Sequence, residues 1–100
     1  MPPRSPRHLA FGRAIRATRE AVGLSQEALA LAADLDRSYV GGIERGLNNP
    51  SLTNIMRLAD TLQVPPSQLM DLAEKDPIWM RPPTRQERVG TPLPKSSDLL

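Results

Sequence analysis

Three consecutive side chains, Arg37, Ser38 and Tyr39, can hydrogen-bond to base edges and phosphates. The Arg37 guanidinium is a planar fork that stays charged; it fits the O6/N7 pair of guanine bidentately, and it fits a phosphate as well. Ser38 can donate to a base edge or a phosphate, or steady the first turn of a helix. Tyr39 can stack on a sugar or a thymine methyl, bond a phosphate through its hydroxyl, or pack on the preceding helix. Downstream, Asn48 and Asn49 can donate to phosphates or close a local turn. Arg45 can touch a nucleic-acid backbone or sit as a solvated helix end. A second cationic group is Arg4, Arg7, Arg13, Arg16 and Arg19, among which Glu20 is the only acid in the first twenty residues. Only Lys75 and Lys95 of the thirteen basic residues are lysines, so the chain favours the side chain suited to bidentate phosphate binding. The same cluster also reads as a solvated helix face.

Other chemistries find little support. There is no cysteine, which excludes disulfides, thiolate metal sites and cysteine nucleophiles. His8 is the only histidine and has no companion ligands, so no metal is expected. No nucleophile–base spacing or phosphate-binding glycine loop is present, which argues against an enzyme and against a bound cofactor. Residues 1–8 hold three prolines and two arginines without an apolar run, unlike an export signal, and no apolar stretch is long enough to span a bilayer. A cytoplasmic location is expected. The 100 residues, with net charge +2, suffice for one domain whose modest core needs well-packed helices or a partner subunit.

The elements that must position these residues follow from periodicity. Residues 1–8 read as a flexible Pro/Arg arm, 9–74 as a helical domain, and 75–100, with five prolines after residue 75, as an extended or disordered tail. Within the domain five short helices are predicted, over 9–22, 26–33, 37–45, 52–62 and 66–73. Gly23 and Gly46 stop the first and third, and Ser25, Asp36 and Ser51 cap the second, third and fourth. Pro66 suits a first helical turn. Leu52, Ile55, Leu58, Ala59 and Leu62 form the apolar set of the fourth helix. No strand is expected, and the fold class is all-α. Residues 24–50, LSQEALALAADLDRSYVGGIERGLNNP, are then two capped helices joined by a tight turn, the second with Val40 and Ile43 inward and its polar side chains at the start. A major groove admits one such helix, and its first turns reach the bases.

LSQEALA, LDRSYVGGIERG and NNPSL, in that order, resemble the phage repressor and Cro helix-turn-helix family, often called XRE-like. Within it the chain is similar to restriction–modification controller proteins. The resemblance implies a transcriptional regulator that binds double-stranded DNA, with residues 37–45 as the recognition helix. It implies that Gln26 touches a phosphate and braces the third helix, and that Arg19 and Glu44 form an ion pair fixing that helix. Asp34 stands where the family usually has glycine, in a left-handed turn that aspartate tolerates. Gly41 and Gly42 depart from much of the family, which often has a longer polar residue at position 42, although controller-type sequences share the second glycine; the pair costs roughly 1.5–2 kcal/mol relative to alanine in an exposed helix. Base reading is thereby concentrated in Arg37, Ser38 and Tyr39.

A homodimer on a palindromic operator is expected, because two helices one DNA turn apart multiply discrimination. With the second and third helices committed to DNA, Met56, Met70 and Leu72 are dimer-interface candidates, or core residues. Ile78, Trp79 and Met80 can cover the core, line a subunit seam or meet a partner protein. The alternative function is therefore an antitoxin or protein-interaction module acting through the tail.

Overall fold

The computed structural model describes residues 5–80. Three serines start helices by one device. The hydroxyls of Ser5, Ser25 and Ser51 accept from the backbone N–H of His8, Ala28 and Asn54 at 3.1, 3.0 and 3.1 Å. Each such cap contributes about 1 kcal/mol. They begin α1 (Pro6–Ala21), α2 (Gln26–Ala33) and α4 (Leu52–Leu62). Between and after these come α3 (Arg37–Glu44) and α5 (Pro66–Lys75), and a 3-10 turn, Pro77–Met80, closes the described chain.

The first four helices also stop alike. A left-handed residue, Gly23, Asp34, Gly46 or Gln63, is followed by an apolar one whose N–H reaches back five residues. These bonds run from Leu24 to Arg19, Leu35 to Ala30, Leu47 to Gly42 and Val64 to Ala59, at 2.8–3.0 Å. The pattern satisfies carbonyls that a helix end leaves open and turns the next apolar residue back toward the core. Leu24, Leu35 and Val64 pack there. Gly46 is also held by space, because a Cβ would lie 2.9 Å from the Leu9 Cα.

The core draws on all five helices. Ile15, Leu29, Val40, Ile43, Leu58 and Leu69 are its largest fully buried side chains, each worth about 1.5–3 kcal/mol. α1 packs on α5 and α3, while α2 packs on α3 and α4.

Several details differ from the sequence expectation. α1 begins at Pro6, within the stretch read as a flexible arm, because Ser5 caps it and proline suits the first helical position. Asp36 occupies the cap position of α3, but its carboxylate accepts from the Ser38 hydroxyl rather than from a backbone N–H. Leu52 is 69% exposed; as the first residue of α4 it falls off the buried stripe kept by Leu58, Ala59 and Leu62. Ile78 and Trp79 pack against the core, with the Arg7 guanidinium 4.7 Å from the Trp79 ring centroid and Arg13 within 3.3 Å of Asp76. The expectations for Arg4 and for the tail beyond Met80 lie outside the described residues. Among those described, no helix is long and apolar enough to cross a membrane.

Candidate nucleic-acid interface

The second and third helices meet through an asymmetric α3. Val40, Gly41, Gly42, Ile43 and Glu44 are buried, whereas Arg37 and Ser38 at its start are exposed. The buried end is fixed by charge. Arg19 of α1 donates from Nε to Glu44 Oε2 at 2.7 Å and from Nη2 to Oε1 at 3.0 Å, and its Nη1 donates to the Leu24 carbonyl at 2.8 Å. The hydrogen bonds to Glu44 push the Arg19 pKa above its ordinary value against the opposing cost of burial. A raised cation pKa adds stability that is full below the ordinary guanidinium range and is lost only in strong alkali, so the contribution is constant across physiological pH.

Gln26, at the start of α2, joins the same cluster, its Nε2 donating to Glu44 Oε1 at 3.0 Å. The residue is half-buried. Its amide therefore ties the start of α2 to the end of α3.

On the other side of α3 a second set of polar bonds forms. Asn54 of α4 donates to the Tyr39 hydroxyl at 3.0 Å, which leaves the phenolic proton available to an outside acceptor. Asn48 donates to the Tyr39 carbonyl at 3.3 Å, folding over Gly42, where a Cβ would overlap the Asn48 amide. Gly42 is thus buried beneath a side chain, not exposed as the sequence reading assumed. At Gly41 a Cβ would sit at ordinary contact distance, 3.5 Å, from Gln26 and Arg45. Gly41→Ala should therefore raise stability by about 0.5–1 kcal/mol through helix propensity. Gly42→Ala should gain less or nothing, because it expels Asn48. Urea denaturation of the two variants measures the contrast, and equal gains would contradict it.

The remaining candidates are spread over the surface. Arg45 and Asn49 are exposed, and Asn48 is half-buried with its amide turned to α3. Met56, Met70 and Leu72 are 43, 39 and 40% exposed and lie outside the core. Three contributors escaped the sequence reading. From the sequence Asn54 reads as a plain helix residue, Glu27 has no evident role, and Gly12 falls within a helical stretch. Gly12 lies where α1 meets the end of α3: a Cβ would come within 2.7 Å of the Glu44 carbonyl oxygen and closer still to that of Ile43.

Two short helices at this juncture, the second presenting its first turn outward from a fixed base, define a DNA-binding regulator of the helix-turn-helix class. A helix-turn-helix family profile matches residues 15–69. The chain belongs to this family, in its XRE-like branch, and is a sequence-specific DNA-binding transcriptional regulator. It is 44% identical over 64 residues to the control protein C.BamHI of Bacillus amyloliquefaciens, covering 63% of this chain and 79% of that one. The control protein C.MunI of a Mycoplasma species is 39% identical over 67 residues, covering 66% and 90%. The crystal structure of the restriction-modification controller protein C.AhdI from Aeromonas hydrophila superposes with a TM-score of 0.62 at 53% identity, covering 62% of this chain and 94% of that one.

Proposed function

We propose that the chain acts as a homodimer on a palindromic operator, with α3 of each subunit in the major groove. The observation that carries this is the exposed first turn of α3, standing on an end held by Arg19, Gln26 and Glu44. Arg37 reads a guanine, Ser38 and Tyr39 adjoin the same base steps, and the available Tyr39 proton reaches a base edge or an adjoining phosphate. Gln26, Arg45, Asn48 and Asn49 take the flanking phosphates. Met56, Met70 and Leu72, all on α4 and α5, supply the apolar surface between subunits. Likeness to the control proteins supports a role in regulating a restriction–modification gene pair in the bacterial cytoplasm.

Band shifts test this reading. A duplex enriched by the protein from a random-sequence library should prove palindromic, and a duplex carrying one half-site should bind more weakly. Arg37→Ala should lose about 1–3 kcal/mol on the enriched duplex, roughly five- to 150-fold, and much less on random DNA. An equal loss on both duplexes would remove Arg37 from base reading.

A further inference from the structure

The surroundings of Arg37 are acidic as well as basic: Glu27 of α2 pairs with it, and Asp36, which precedes it in the chain, is exposed. Asp36 is engaged with Ser38. Glu27, in the first turn of α2, stands 3.6 Å from the Nε of Arg37, and both side chains are largely solvated, at 77 and 63% exposure. This is the only ion pair of Arg37 among the described residues.

The edge of the fork is informative. A guanidinium offers two faces for bidentate bonding, the side through Nε and the end through its two terminal nitrogens. Glu27 stands against the Nε side. The two terminal nitrogens make no hydrogen bond or ion pair among the described residues, which leaves the end free for bidentate bonding, the geometry that grips the O6 and N7 of one guanine. A carboxylate at this place also repels phosphate, which is the competing ligand for the same fork. We infer that Glu27 is a positioning and specificity-determining residue: it holds Arg37 end-on for a guanine and discourages Arg37 from settling on a phosphate of non-cognate DNA.

The inference rests on the proposed role of Arg37. It goes beyond that role by assigning discrimination to an acidic side chain that itself repels the DNA backbone. Exposed pairs of this kind are individually weak, so the expected effect is a few-fold change in a ratio and not a loss of binding.

Four variants of the full chain test it: Glu27→Gln, Arg37→Ala, the double variant, and Asp34→Asn as a control that removes an exposed charge from the turn between α2 and α3 and keeps a residue suited to the left-handed conformation. Each is titrated against the enriched duplex and against a random-sequence duplex over a range of salt. Glu27→Gln should lower the ratio of specific to non-specific affinity about two- to five-fold. The drop should come chiefly from tighter binding to random DNA. There the salt slope should steepen by about 0.9 as Arg37 takes up a phosphate. In the Arg37→Ala background the same change should leave the ratio alone. Asp34→Asn should strengthen both duplexes by similar factors. The inference is overturned if Glu27→Gln behaves like Asp34→Asn, or if its effect on the ratio persists without Arg37. If instead Arg37→Ala itself leaves the ratio unchanged, the base-reading role fails first and this inference with it.

Discussion

Gly12→Ala is expected to destabilise the protein by about 3 kcal/mol or more, at or above the upper end of ordinary overpacking. The expectation comes from what surrounds the position. A Cβ there meets the carbonyl oxygens of Ile43 and Glu44 and, at 2.8 Å, the Glu44 carbonyl carbon, all of them backbone atoms. No rotamer change relieves the overlap, so α1 must move away from α3. The gain in helix propensity, about 1 kcal/mol, offsets only part of the cost. For a domain of this size the melting temperature should fall by about 12 °C or more. The population that still folds should bind the enriched duplex weakly, because α3, displaced relative to α1, presents Arg37. Circular dichroism melts beside Gly41→Ala give the comparison, and a melting temperature matching the parent chain would refute the close approach.

Glu44→Ala should cost about 3–5 kcal/mol, the range for breaking a buried ion pair from one side. The carboxylate is 3% exposed and receives three hydrogen bonds, two from Arg19 and one from Gln26. Its removal leaves a guanidinium, itself 11% exposed, without its counter-charge. Against a total stability of about 5–15 kcal/mol for such domains the loss is large. Replacing both partners together, Arg19→Met with Glu44→Leu, should recover much of it, since an apolar pair of similar volume needs no desolvation. The double variant should nevertheless bind DNA less well than the parent, because Gln26 loses the acceptor that joins α2 to α3. Urea titration and band shifts on the same three proteins separate the two effects. A double variant no more stable than Glu44→Ala alone would argue that geometry, and not the stranded charge, sets the cost.

The helices were legible because local signals fix their ends. Ser25 and Ser51 announce starts, and Gly23 and Gly46 announce stops, through side-chain and backbone hydrogen bonds that depend on a few neighbouring residues. The start of α1 was missed although Ser5 and Pro6 carry the same signal, because apolar periodicity begins only at Leu9. Contacts between distant segments were less accessible. A glycine inside a helical stretch reads only as a loss of propensity, and nothing near Gly12 in the chain reveals that the end of α3 will lie against it. Gly42 reads as exposed for the same reason: the side chain that covers it, Asn48, returns through a loop. Leu52 shows the limit of a periodic count at a helix terminus, where a nominal core position opens to solvent. The candidate site was legible in its residue types. The bonds within it, from Asn54 to Tyr39 and from Gln26 to Glu44, depend on tertiary placement.

The outward turn of α3 contributes no side chain to the hydrophobic centre through Arg37 or Ser38. Substitutions at solvent-facing positions of this kind typically alter folding free energy by less than about 0.5 kcal/mol. Duplicated copies can therefore diverge in the DNA they recognise while sharing one scaffold, so that paralogues in a single cell become mutually insulated through few mutational steps. The lettering can change without rebuilding the press.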